Sequence, residues 1–235
     1  MPSVLIALPS YHGPFFNDGT TTGTFAVEVI HPFEAFKAKG YDIDFASRTG
    51  SFGYDDHSLT EDFLKGDDKA ILEDPNSEYN ITLKKIKKAS DVNPKDYDIF
   101  FAVGGYGASF DFPTATDVVK VAEDIYANGG VVAAVCHGPA IFTNMKDPST
   151  GKPLIAGKNV TGFTDEGEKL FDTDKPLVKY NLDTMEGVAK KTGANFKLPG
   201  APFDDFTVTD GRVVTGVNPA SAGSTARAAI IASQQ

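Results

Sequence analysis

The stretch Val131-Val132-Ala133-Ala134-Val135-Cys136-His137-Gly138-Pro139-Ala140-Ile141 decides the fold. A continuous apolar run that follows Asn128-Gly129-Gly130 reads as a strand buried on both faces. Small and helix-starting residues follow Cys136 at once, so the chain turns sharply from strand to helix. That is the layout of a nucleophile elbow. Such a turn lifts its side chain above the carboxyl edge of an open α/β sheet, where ligands bind. The helix N-terminus behind it brings partial positive charge toward sulfur, which predicts a lowered thiol pKa. Gly138 removes bulk beside the reacting atom, and the His137 N–H is placed to meet a developing oxyanion. A lone cysteine is more often a small buried hydrophobe. The elbow and the adjacent histidine favour a reactive one.

Working outward, Val4 to Leu8 is an apolar run closed by Pro9, a second buried strand. A Gly-containing loop runs from Ser10 to Gly23. Phe25, Val29, Phe33 and Phe36 then recur at helical spacing up to Gly40, and Tyr41 to Ala46 alternates as a strand does. This β-α-β opening predicts a parallel sheet. Residues 48–92 are polar and turn-rich and read as an insertion, with helices near Glu61–Leu64 and Tyr79–Ala89. Ile99 to Val103 is a buried strand ending at Gly104-Gly105. Thr114 with Asp117 is close to a capping box before a helix carrying Val118, Val121, Ala122 and Ile125. A helix is expected near Met185–Lys191 and a last strand at Arg212–Thr215. Asn218-Pro219 supplies an N-cap with proline at the first helical position. The expectation is one α/β domain over residues 1–235.

The chain has 235 residues and a formal net charge of −10, which disfavours nucleic acid and anionic membranes as partners. The one basic run, Lys84-Lys85-Ile86-Lys87-Lys88, reads as the solvated face of a helix. The single cysteine forbids an intrachain disulfide and points to a reducing compartment. The N-terminus reads as a strand and not as a signal peptide, and no apolar run is long enough to span a bilayer. No His-x-x-x-His pair or Cys/His cluster is present, so no catalytic metal is expected. His12 reads as a plain loop residue.

Glu28 borders the apolar stripe of the first helix, and Pro32 removes the helical hydrogen bond to its carbonyl, which predicts a kink there. A carboxyl buried beside a thiolate would have a raised pKa and could shuttle protons near neutrality. On the pattern alone, a solvent-facing helix acid is as good a reading. The glycines of Gly104-Gly105-Tyr106-Gly107 let backbone N–H groups approach a substrate, or simply make a tight turn.

Val135-Cys136-His137-Gly138-Pro139 resembles the nucleophile turn of the ThiJ/PfpI superfamily. Asp18-Gly19 with Thr22-Gly23 and then Val27-Glu28, Phe52 to Leu59, Gly162 to Glu168, and Thr209 to Arg212 with Thr215 to Pro219 resemble its fungal heat-shock chaperone/glyoxalase III branch. The resemblance implies a flavodoxin-like, class I glutamine-amidotransferase-like sheet sandwiched by helices, with the insertion after the second strand. It implies a triad of Cys136, His137 and Glu168. Spacing alone does not choose Glu168 over Asp165 or Glu166. The Gly105 N–H is read, together with that of His137, as an oxyanion hole. The resemblance sets Glu28 against the nucleophile as a general acid/base. The activity it implies is conversion of methylglyoxal, a small 2-oxoaldehyde, to D-lactate without glutathione or any cofactor. Alternatives are a holdase that binds misfolded proteins and a cysteine-based redox sensor or deglycase. A homodimer in the cytoplasm, and also in the nucleus, is implied as well. Two positions depart from the pattern: related members usually carry His at Tyr106 and Trp at Phe203.

Overall fold

A computed structural model describes all residues from Met1 to Gln235. Seven strands form one sheet in the spatial order Thr207–Asp210, Val213–Gly216, Val131–Val135, Ile99–Ala102, Ser3–Ala7, Asp42–Ser47, Lys87–Lys88. All pairs are parallel except the first, an antiparallel hairpin turned at Gly211. Over residues 4–7, Ile99–Ala102 and Val131–Val135 the three central strands are at most 1% exposed, which is why these runs are apolar without alternation.

The connection from Ser3–Ala7 to Asp42–Ser47 steps one way along the sheet, and that from Ile99–Ala102 to Val131–Val135 steps the other. Right-handed crossovers in opposite directions put their helices, Val27–Lys37 and Thr116–Ala127, on opposite faces. The last helix, Ala222–Ala232, packs against Val27–Lys37. The strand order reverses between Ser3–Ala7 and Ile99–Ala102, and a crevice opens there at the carboxyl ends.

Several expected elements differ. Glu61–Leu64 is a turn; the helix lies later, at Gly66–Glu73. The next helix stops at Leu83, capped at its start by Ser77. Lys87–Lys88 is not helical but an edge strand beside Ala46-Ser47, and Lys87 reaches Asp44 at 2.7 Å and the Tyr97 hydroxyl at 3.0 Å. Lysine on an edge strand discourages further strand pairing. Thr114 is no cap either. It closes a 3-10 turn, Phe112–Thr114, and the helix starts after Ala115 without a side-chain cap. The Asn218 cap is formed: its side chain accepts the Ser221 N–H, with Pro219 at the start of the turn. Within the expected loop Ser10–Gly23, Gly13–Pro14 and Thr21–Thr22 pair as a short ribbon.

Candidate active site

The buried strand Val131–Val135 delivers Cys136 at φ 59°, a left-handed conformation that costs a non-glycine residue roughly 1–3 kcal/mol. Hydrogen bonds hold it there from both sides: Cys136 N–H donates to the Gly216 carbonyl at 3.0 Å, and Phe163 N–H donates to the Cys136 carbonyl at 2.9 Å. The sharp turn aims sulfur at the crevice, as the elbow reading requires.

His137 Nδ1 lies 3.3 Å from Cys136 Sγ, and His137 Nε2 lies 2.7 Å from Glu168 Oε1. Carboxylate oxygens only accept, so Nε2 carries the proton toward Glu168 and Nδ1 turns its lone pair to the thiol. Glu168 sits in the first turn of helix Asp165–Leu170, whose N-cap is Thr164. It is 1% exposed, whereas Asp165 is partly exposed and Glu166 is exposed, so the fold selects the acid that spacing could not. Glu168 Oε2 is held by two hydroxyls, Tyr106 at 2.6 Å and Thr173 at 2.6 Å. The Tyr106 ring stacks on Phe15 and lies against the His137 ring, 4.1 Å between centroids. Tyr106 therefore acts on the triad through its hydroxyl. Thr173 had no sequence signal, since it reaches the site only by packing of a later turn.

Glu28 is fully buried in the first turn of helix Val27–Lys37, which runs on through Pro32. Its Oε2 accepts the Gly104 N–H at 2.9 Å, and its carboxyl reaches the Cys136 thiol. Burial pushes its pKa to about 8, against weaker downward pulls from the Cys136 and Gly104 hydrogen bonds; Asp55 adds to the rise. A helix N-terminus favours the anion by at most about 2 kcal/mol, so loss of hydration wins. Glu28 therefore keeps its proton at neutral pH.

The Cys136 thiol is also pushed well up, chiefly by burial, then by its neighbours Glu28 and Glu168, with the Gly105 N–H pulling the other way. This overturns the lowered pKa expected from the following helix. That helix is only a six-residue 3-10 segment, Gly138–Thr143, and its small dipole does not outweigh complete burial. The resting site thus holds protons on both Glu28 and Cys136, with His137 Nδ1 in reach of sulfur.

Two glycines make the close approach possible. A Cβ on Gly104 would stand 2.3 Å from Glu28 Oε2 and 2.9 Å from Cys136 Cβ. Gly105 has φ +91°, and a Cβ there would stand 2.2 Å from the Gly23 carbonyl oxygen. Its N–H faces sulfur, as an oxyanion donor would. Cys136, His137, Gly105 and Tyr106 form the floor of a cavity of about 370 Å³, and Phe203 stands at its rim. His12 is not part of its lining; its ring packs under Gly53 and reaches Thr21.

Comparison with known proteins identifies the family and the fold. The DJ-1/PfpI family model matches residues 20–231. The chain belongs to the DJ-1/PfpI family. Among similar proteins, glyoxalase 3 of Candida albicans is 56% identical over 232 residues, 99% of this chain and 98% of its own length. The glutathione-independent glyoxalase HSP31 of Saccharomyces cerevisiae is 55% identical, covering 95% of this chain and 94% of its own length. The crystal structure of glyoxalase III from Candida albicans superposes with a TM-score of 0.97 over 98% of this chain and 97% of that one. This DJ-1/PfpI chain has the mostly parallel, helix-flanked sheet that the resemblance implied.

Proposed function

We propose that this chain is a glutathione-independent glyoxalase that converts methylglyoxal to D-lactate through a covalent adduct on Cys136. The observation that carries the reading is the pairing of a Cys136–His137–Glu168 relay with a second, protonated carboxyl, Glu28, at the same sulfur. The names of its relatives point the same way.

The chemistry follows from the arrangement. His137 Nδ1 takes the thiol proton, and Glu168 stabilises the imidazolium that results. Sulfur adds to the aldehyde carbon, and Glu28 gives its proton to the carbonyl oxygen, forming a hemithioacetal. The N–H groups of Gly105 and His137 steady the oxygen as charge develops. Glu28, now ionised, removes the proton from the former aldehyde carbon while the His137 imidazolium gives its proton to the ketone oxygen, and an enediol forms. Glu28 returns that proton to the neighbouring carbon while the hydroxyl on the sulfur-bearing carbon gives its proton to His137, which leaves a hydroxyacyl thioester. Water cleaves it, releasing the hydroxy acid and restoring the thiol. One water is consumed and no electrons leave the substrate, so the protein's own groups suffice.

The same reading takes residues 1–235 as one domain, a homodimer in the cytosol and nucleus. A holdase role beside the enzyme is the alternative reading; it would require a contiguous exposed apolar patch. The test is lactate formation from methylglyoxal without glutathione, with a chiral assay of the product. D-lactate from the wild type and none from Glu168→Gln supports the relay. No lactate from folded, reduced protein moves the holdase reading to first place.

A further inference from the structure

The cavity over Cys136 is larger and more apolar than a three-carbon aldehyde requires. At about 370 Å³ it falls in the range of sites for drug-sized ligands. Phe16, Phe25, Phe63, Phe163, Phe171 and Phe203 line it. They are ordered among themselves: Phe25 meets Phe63 edge-on at 5.0 Å, Phe163 lies 6.0 Å from Phe171, and Phe171 meets Phe203 at 5.2 Å.

The polar groups on the wall are largely taken. Asp55 accepts from Thr22 at 2.6 Å and from the His57 and Ser58 N–H groups. The His57 ring stacks on Phe16 at 3.9 Å and its Nε2 reaches Thr20. His31 is paired with Asp68 at 2.8 Å. The Asn218 amide donates to the Pro202 and Asp204 carbonyls, and its oxygen accepts the Ser221 N–H. Only Asp62, exposed on its turn, has no side-chain hydrogen bond in the structure. A substrate tail entering this space meets aromatic rings and few free donors or acceptors.

From this, and resting on the glyoxalase reading above, we infer that the preferred substrates are 2-oxoaldehydes with an aryl or long alkyl tail, and that polyhydroxylated, sugar-derived 2-oxoaldehydes are disfavoured. A phenyl tail buries apolar area that a methyl group lacks, and it stacks on rings already in place. A hydroxylated tail gives up its hydration and finds almost no partners. The reaction is unchanged: the aldehyde carbon still bonds to Cys136 sulfur, one proton moves between the two carbons, and water releases the 2-hydroxy acid. Only the group behind the ketone differs.

The test compares kcat/KM for phenylglyoxal, methylglyoxal and a 3-deoxyosone in the wild type, in Phe171→Ala and in Phe203→Ala. Both phenylalanines are 48% exposed, so their removal leaves the folded core in place. Phenylglyoxal should exceed methylglyoxal by about tenfold or more in the wild type, and the deoxyosone should fall about tenfold or more below it. Each variant should cut the phenyl-to-methyl ratio by about two- to tenfold. Intrinsic aldehyde reactivity cancels in that comparison between proteins. Methylglyoxal turnover with a ratio that neither variant moves overturns the tail preference and leaves the glyoxalase reading standing. No turnover of any of the three by folded protein with a free Cys136 thiol sinks both.

Discussion

Glu28→Gln should make the protein less sensitive to alkali while it ruins catalysis. In the unfolded chain Glu28 ionises near 4.5; in the fold it keeps its proton to about 8. Between those values folding must take up a proton. The native state binds more protons than the unfolded one, so stability falls as pH rises. The contribution is whole below pH 4.5 and is lost progressively up to about pH 8. At about 1.4 kcal/mol per unit, the loss from pH 5 to pH 8 amounts to roughly 2–4 kcal/mol. Glutamine keeps an oxygen to accept the Gly104 N–H and has no proton to lose. Urea unfolding of wild type and variant at pH 5, 6.5 and 8, without substrate, measures the difference directly. The variant should gain on the wild type by roughly 2–4 kcal/mol across that span. A difference that stays flat with pH would refute the claim that Glu28 is held neutral by burial.

The remaining predictions concern the other groups at the site. Because Glu28 must arrive protonated, kcat/KM should decline above about pH 8, and this limb should vanish in the residual activity of Glu28→Gln. Tyr106→Phe deletes one donor to Glu168 and should lower stability by about 1–3 kcal/mol and kcat by about tenfold, with KM little changed; chemical denaturation and steady-state rates report both. Gly105→Ala puts a Cβ into the Gly23 carbonyl at φ +91° and should cost roughly 2 kcal/mol or more with loss of turnover, read by thermal unfolding and assay.

The layout of the sheet and the nucleophile were legible because long-range demands had a local imprint. Strands buried on both faces must be apolar throughout, so Val131–Val135 and Ile99–Ala102 declared themselves. The Asn218 cap uses one side chain and a proline, both local. Lys87–Lys88 could not be read as a strand, since a two-residue segment has no period and owes its pairing to Ala46-Ser47. Thr207–Asp210 escaped notice because it is polar and partly exposed at the sheet edge. At the site, Glu168 differs from Glu166 only in which side of a short helix faces His137, and Thr173 arrives from the following turn. The thiol pKa is not legible in the sequence, which displays the helix start but not the burial that overrides it.

The central claim is that carbon–sulfur bond formation at Cys136 precedes proton transfer. Acid quenching of the wild type during methylglyoxal turnover, followed by peptide mass spectrometry, tests it. The peptide containing Cys136 should carry the mass of one methylglyoxal during turnover and lose it as D-lactate accumulates and substrate runs out, and Cys136→Ala should form neither adduct nor lactate. Sustained lactate formation by Cys136→Ala, with no adduct on the wild-type peptide, would contradict the account.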